Sequence, residues 1–406
     1  MRLAVTCNGP GETAGWLRPL LRELYALDPQ LDAHVFYVPD DYATGKEPEF
    51  VRTLFPQAHA YDPKSYLRIA LGAQGDGLPQ QVDAVLYLGG DLMHAARLHK
   101  RFGGRLACYK FARRKYAGET SRAYAVDSHN VDQIAQAGVA TERIEQVGNL
   151  AIDGALLEAQ MPAEPGSPKD GVLIMPGSRK PEIEQLLPLF FTTALRMRRE
   201  EPDLPIAFGI SPFNDLAQVR GAVMAGGDWR VFAQRGTVIE ESGRAYFSTI
   251  DGETRFPIVR NALAAAREAR IVVTIPGTKV IELAALGKPA ISCTPLNAPE
   301  YAPINGPLTY LDRIPLIGAP AKRTVAAAYA RRFKYHTQPN IDTQSTLVHE
   351  MHTVLTPGRI ARVTLEHLAD ADWLSSTSQA LEALYREHTG AASRMARSLL
   401  ALAGNS

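Results

Sequence analysis

The chain has 406 residues, long for one hydrophobic core and comfortable for two, and its 46% hydrophobic and 21% charged composition is that of an ordinary globular protein. A formal net charge of +1 excludes the chain-wide basic footprint of a nucleic-acid binder. Cys7, Cys108 and Cys293 each sit in an apolar run with no CxxC pair, which argues against a zinc framework and for reduced thiols in a cytoplasmic setting.

The first strand, Leu3–Cys7 (LAVTC), is too short to be a signal-peptide core, and no apolar run has the length of a membrane-spanning helix. It runs into Asn8–Gly15 (NGPGETAG) and a helix over Trp16–Tyr25 with Leu17, Leu20, Leu21 and Leu24 on one face. Strands follow at His34–Val38 and Ala84–Leu88, the latter ending at Gly89-Gly90-Asp91 before a helix to about Lys100. Strands Leu106–Lys110 and Ala123–Val126, a helix over Asn130–Gln136 and a strand-like Ile144–Asn149 complete a parallel-sheet pattern.

Met161–Asp170 (MPAEPGSPKD) is polar and proline-rich, the composition of an interdomain linker. The same grammar then restarts: strand Val172–Met175, turn Pro176–Arg179, helix Ile183–Arg199 and strand Ile206–Ile210. A less regular stretch near Val231–Thr249 precedes a strand–turn–helix–strand unit at Ile271–Cys293. The expected organisation is α/β. Residues 1–160 and 171–370 form two Rossmann-like domains facing across a cleft, and an amphipathic helical tail, 371–406, packs back across the linker.

The Ile271–Cys293 unit places Pro276-Gly277-Thr278 at the carboxyl end of a parallel strand and the start of a helix, where backbone N–H groups attract phosphate. Glu282 lies one helical turn after Thr278 and can accept ribose hydroxyls. With Thr278 as N-cap, a capping-box glutamate belongs at Ile281, so the spacing favours a ligand contact. Ser178 and Arg179 open the other helix of this half: Arg179 offers a fork for phosphate oxygens and the Gly177–Ser178 turn offers N–H donors. In the first half, Gly11–Gly15 allows close backbone approach to a ligand, and Glu12 reaches a sugar hydroxyl, acts as a base or simply sits near a helix start. Asp91 is a candidate general base for an acceptor hydroxyl, and as an N-cap before Leu92 it would look the same.

His349 and His352 are three apart, not the four of a zinc-protease helix, and Asp370 and Asp372 begin the tail instead of ending a strand, so neither pair is taken as a metal site. The basic, aromatic runs Lys110–Tyr116 and Arg331–His336 fit contact with anionic lipid or phosphate, and fit equally a solvated, snorkelling face.

Several segments resemble bacterial lipid-A-disaccharide synthase. LIMPGSRKPEIEQLLP (Leu173–Pro188) is similar to its "LPGSR…E" segment, and PGTKVIELAALGKPA (Pro276–Ala290) to its "SGTATLE…P" segment, with Pro276 where serine is usual. GPGETAG (Gly9–Gly15) resembles its "GE.SGD" loop, with Trp16 in place of the aspartate. YLGGDLMHA (Tyr87–Ala95) resembles the segment of its catalytic aspartate, which falls on Asp91. QPNIDTQSTLVHEM (Gln338–Met351) resembles its "LPN…VPEL" stretch at Asn340 and Glu350.

The resemblance implies a GT-B glycosyltransferase of inverting chemistry, with no metal and no cofactor. Ser178, Arg179, Glu182, Gly277, Thr278 and Glu282 would then line a UDP-sugar, with Gly11 and Asn340 near it and Asp91 and Glu12 catalytic. The apolar segment that the synthase uses to meet its lipid is polar and rich in Gly and Pro here, over Glu49–Gln81. The expected acceptor is therefore a lipid-linked or envelope glycan other than the usual lipid A precursor. The protein would be cytoplasmic, with peripheral contact at the inner membrane, and no nucleic acid is expected as partner. The alternative is a UDP-N-acetylglucosamine 2-epimerase, whose "TGN…ID" segment VGNLAIDGAL (Val147–Leu156) resembles, although that family's "GHRRE" segment is absent where Pro176–Arg179 stands. A non-catalytic nucleotide-sugar binder is the third reading.

Overall fold

The computed structural model describes residues 1–40, 43–74, 77–226, 233–295 and 334–404. The chain divides into two compact units, Met1–Leu157 with Arg386–Ser406, and Glu158–Tyr385.

The first unit is built on seven strands: β1 Arg2–Cys7, β2 Asp32–Tyr37, β3 His59–Tyr61, β4 Ala84–Tyr87, β5 Arg105–Tyr109, β6 Thr120–Ala125 and β7 Ile144–Gln146. All neighbours are parallel, in the order β3-β2-β1-β4-β5-β6-β7. Both faces are covered, so the strands read as continuous apolar runs and not as alternations. Leu3, Val5 and Cys7 join one core with Leu17, Leu20, Leu21 and Leu24, while Ala4, Val85 and Tyr87 join another with Leu92, Ala95 and Leu98. The first helix starts at Pro10, widens into a π turn over Thr13–Leu17 and continues over Arg18–Leu27.

The second unit holds β8 Val172–Ile174, β9 Ile206–Gly209, β10 Gly236–Glu241, β11 Arg244–Thr249, β12 Arg255–Val259, β13 Ile271–Thr274, β14 Ala290–Pro295 and β15 His349–Thr353. Their order is β10-β11-β12-β9-β8-β13-β14-β15. The β10–β11 and β11–β12 pairs are antiparallel and the others parallel. The stretch expected to be irregular near Val231–Thr249 is thus largely an antiparallel extension of the sheet, turned at Ser242-Gly243, both at positive φ; Val231 itself lies outside the described residues.

The break between units falls at Leu157/Glu158, ahead of the proline-rich Met161–Asp170 stretch. That stretch is tied into the second unit. Both Glu164 carboxylate oxygens accept from Arg260 N at 3.0 Å, and Glu158 Oε1 accepts from Leu263 N at 3.2 Å, at the start of the helix Ala262–Glu268. The tail is split: helix Ala371–Tyr385 belongs to the second unit and helix Ala391–Gly404 to the first. Among the described residues no helix is long and apolar enough to cross a membrane.

Candidate functional site

In each sheet the strand order reverses between two adjacent parallel strands, β1 and β4 in the first unit, β8 and β13 in the second. Loops at the carboxyl ends of such a pair diverge to opposite faces and leave a crevice, the usual ligand position in open α/β sheets. The sequence-predicted residues other than Asn340 lie on, or just beyond, the loops at these two points.

In the second unit β13 pairs with β8 in register Val273↔Ile174, so the turns Gly177–Arg179 and Pro276–Thr278 leave neighbouring strands side by side. Gly177 sits at φ 108°, and a Cβ there would run into Glu182 and Ile275; only glycine fits. Glu182, 8% exposed, caps its own helix, Lys180–Glu200, its Oε2 accepting from Ser178 N and Arg179 N at 2.9 Å each. Of the donors expected from the Gly177–Ser178 turn, Ser178 N is therefore already engaged by a carboxylate. Glu182 supports the turn that a nucleotide would meet, and the Arg179 guanidinium stays partly exposed, 3.9 Å from Glu182 Oε1.

The neighbouring turn differs. Gly277, not Thr278, is the N-cap of helix Thr278–Ala285, and no side chain caps it. Gly277 and Thr278 are exposed. Gly277 is at φ 148°, a backbone conformation open to glycine. An exposed helix start without a side-chain cap is the stronger anion site of the two. Glu282, one turn along the same helix, is buried, its Oε2 held by the Lys279 ammonium. Sequence reasoning passed over Asn214, which is 3% exposed and donates from Nδ2 to Ser178 O at 2.9 Å. Its buried Oδ1 has no hydrogen-bond partner among the described residues. Its only signal was its place just beyond a strand end, in Ser211-Pro212-Phe213-Asn214.

In the first unit Asp91 is the N-cap of helix Leu92–Phe102, Oδ1 accepting from Met93 N at 2.8 Å, and its Oδ2 lies 2.9 Å from Arg113 Nη2. Cap and ion pair coexist in one partly exposed carboxylate. Glu12 comes to the same corner: a Cβ on Gly9 would lie 3.1 Å from Glu12 Oε2, and one on Gly89 3.3 Å from its Cγ. The Tyr87 hydroxyl registers both carboxylates. Burial pushes it up, and the charges of Asp91 and Glu12 push it further in the same direction. A Cβ on Gly89 would also meet Asn8 Oδ1, so the glycine brings the Asn8 side chain close to the backbone there. Gly11 is exposed with open space around it, so nothing in the chain itself demands a glycine there. Gly15 instead meets Gly154 of helix Leu150–Ala159, where a Cβ would come within 2.6 Å of the Gly15 carbonyl. The glycine loop of the first unit thus serves helix packing at its far end.

Asn340 is fully buried. Its Nδ2 donates to Val348 O and Glu350 Oε1, and its Oδ1 accepts from Leu347 N and Val348 N, all at 2.8 Å. Its amide is saturated by the chain, so it holds the Gln338–Thr343 helix to β15 and leaves no polar atom for a ligand. Lys110–Tyr116 follows β5 and delivers Arg113 to Asp91; Lys110 Nζ lies 5.9 Å from both the Trp16 and Phe111 rings. Residues 331–333 of the second basic run lie outside the described residues. His349 packs on His367 and His352 on His336, and Asp370 accepts from Trp373 N as a helix cap.

No family model matches the chain, and no curated protein does. Solved structures share its fold. A Listeria monocytogenes protein provisionally assigned as a UDP-N-acetylglucosamine 2-epimerase superposes with a TM-score of 0.59 at 12% identity, over 97% of this chain and 94% of the other. UDP-GlcNAc 2-epimerase from Neisseria meningitidis, bound to UDP-GlcNAc, gives 0.50 at 11% identity over 98% and 99%. Alr3699/HepE from Anabaena, in complex with UDP and glucose, gives 0.50 at 10% identity over 99% of each chain. The fold is GT-B-like, two α/β domains on sheets that are parallel apart from the antiparallel β10–β11–β12 extension. At these identities the likeness is one of fold, and it lends no support to a specific link with lipid-A-disaccharide synthase.

Proposed function

We propose that the chain is an inverting glycosyltransferase that uses a UDP-sugar donor, with an acceptor other than the usual lipid A precursor. The observation that carries this reading is the exposed, uncapped helix start at Gly277-Thr278, beside the Arg179 turn and on the same helix as the buried Glu282. The helix N–H groups and the Arg179 fork take the diphosphate, and Glu282 takes the ribose hydroxyls. Asp91 removes the proton from the acceptor hydroxyl as that oxygen attacks the anomeric carbon. The bond from this carbon to the diphosphate breaks, and UDP leaves with the electron pair, its charge met by the same N–H groups and guanidinium. Glu12 orients a sugar hydroxyl.

The fold likeness to proteins solved with UDP, glucose and UDP-GlcNAc supports the donor class without separating transfer from epimerisation. The Val147–Leu156 segment does not favour the epimerase, because its Asp153 is engaged in the chain's own packing, with Gly390 N and Ala392 N. The test is thermal stabilisation against UDP-, GDP-, dTDP- and CMP-sugars, followed by product analysis with the stabilising donor. Ligand binding to the native state raises the midpoint by mass action. Selective stabilisation by UDP and one UDP-sugar, lost in Glu282→Ala, is expected, with UDP released only when an acceptor is supplied. Conversion of the UDP-sugar alone without UDP release would replace the transferase by the epimerase, and no shift with any donor would remove both.

A further inference from the structure

The opposite end of the first sheet carries a second cluster, at the amino ends of β1, β2 and β3. Asp32 and His34 are two apart on β2 and so share a face. His59 opens β3 in direct register with His34, and the two imidazoles stack at 4.7 Å. One donor atom each from Asp32, His34 and His59 lie within 4.8 Å of one another. Asp32 Oδ1 is 2.9 Å from His34 Nε2 and 3.8 Å from His59 Nε2. Ligands at zinc-like distances of about 2.0–2.1 Å stand roughly 3.3 Å apart in a tetrahedron, inside the range this cluster spans.

The hydrogen bonding around His34 makes the cluster more than a coincidence of residue types. Its side chain is 2% exposed. Nδ1 lies 3.0 Å from the Tyr61 hydroxyl, whose own proton goes to Gly77 O at 3.3 Å. In the tautomer whose Nδ1–H donates to the Tyr61 oxygen, Nε2 carries the lone pair and turns it on Asp32 Oδ1. Nε2 is buried 2.9 Å from Asp32 Oδ1, a separation that requires a proton or a metal cation to be shared between the two atoms. Arg2 Nε holds the other oxygen of Asp32 at 2.7 Å, which leaves Oδ1 as the inward-facing one. The cluster opens on a cleft of about 440 Å³ lined also by Gly77, Leu78, Pro79 and Gln80.

We propose that Asp32, His34 and His59 bind a divalent transition-metal ion, with zinc the best match to two imidazoles and one carboxylate, and with the fourth position open to this cleft. Tyr61 is the positioning residue: it fixes the tautomer that turns the His34 lone pair on Nε2 toward the ion. The site ties the first residues of β2 and β3 together. It sits at the strand ends remote from Asp91 and Glu12 and takes no part in their chemistry.

The test is zinc titration of the purified, metal-stripped full chain, followed by calorimetry and by the unfolding midpoint, with Co²⁺ as a visible-absorption probe. One ion per chain at micromolar affinity or tighter is expected, with a rise in midpoint on adding zinc. His59→Ala, at a half-exposed side chain whose removal opens no core, and Asp32→Asn should each weaken binding at least tenfold and abolish the midpoint rise. Tyr61→Phe should weaken zinc binding about tenfold or more and alter the Co²⁺ spectrum while the fold is retained. UDP affinity should be the same in all three variants as in the parent. Absence of stoichiometric binding, or binding equal to that of the parent in both His59→Ala and Asp32→Asn, would overturn the proposal.

Discussion

Arg113 Nη2 lies 2.9 Å from Asp91 Oδ2, while the other oxygen of that carboxylate accepts from Met93 N and starts the helix Leu92–Phe102. The two oxygens have separable duties, and asparagine separates them. Asparagine caps a helix about as well as aspartate, whereas alanine loses about 1 kcal/mol. Asp91→Asn should therefore leave the unfolding midpoint of the parent in place and lower turnover by at least a hundredfold, the usual scale of a lost general base. Asp91→Ala should lose both. Undiminished turnover in Asp91→Asn would reduce this residue to a cap.

The two turns of the second unit should respond differently to substitution. Glu182→Ala removes the acceptor of two backbone N–H groups and should cost about 1–2 kcal/mol of stability. It frees donors at a helix start, so UDP affinity should fall by less than tenfold. Gly277→Val forces a branched side chain to φ 148°, a strain on the order of 1–3 kcal/mol, on the exposed turn assigned to the diphosphate. UDP affinity should fall at least tenfold there, read by calorimetry at a temperature where the variant is folded. Equal losses in the two variants would mean that the diphosphate is not held at Gly277.

Asn340 offers a direct contest between a ligand contact and an internal brace. Replacing it by alanine strands Val348 O, Leu347 N, Val348 N and one acceptor site of Glu350, all in or beside the second core. Unpaired buried polar groups of this kind should cost about 2–3 kcal/mol in total after relaxation. A unit of this size then melts on the order of 5–10 °C lower. UDP affinity measured well below that midpoint should stay within threefold of the parent. A large loss of affinity with an unchanged midpoint would restore Asn340 to the ligand.

The sequence carries the alternation of strands and helices and the places where it breaks. A β-branched run ending in Pro276-Gly277 announces its own turn, and a glycine pair before Asp91 announces another, because these signals are local. The β10–β11 hairpin was missed although Ser242-Gly243 is itself a turn signal, since the flanking residues, half-buried and charged, show no clean alternation. What local pattern cannot show is which polar atoms find each other. Glu182 looks like a ligand residue until the backbone N–H groups of Ser178 and Arg179 are seen to fill it. Arg113 reaches Asp91, Glu164 reaches Arg260 and His59 reaches His34 only through sheet order, which no short window encodes.

Asp153 shows how the C-terminal helix is fastened. Its Oδ1 accepts from Gly390 N at 2.7 Å and its Oδ2 from Ala392 N at 2.6 Å, at the start of helix Ala391–Gly404, whose Met395 and Leu399 lie in the first core. Asp153→Ala should cost about 2–3 kcal/mol, because the half-buried Gly390 N and the buried Ala392 N lose their acceptor, and should expose the residues before Ala391 to limited proteolysis. Burial raises the Asp153 carboxyl above its ordinary 3.8, with the two backbone donors pulling it part of the way back. The folded chain thus holds this proton more tightly than the unfolded chain does. Its contribution to stability accordingly declines as pH rises from 3.8 through the raised value. Asp153→Asn has no such proton. The stability of the parent relative to Asp153→Asn, from denaturant unfolding at a series of pH values, should fall with rising pH across that interval and be flat above it. A difference that grows with pH would show that the N–H donors outweigh burial, and that the helix is held by a carboxylate ionised throughout.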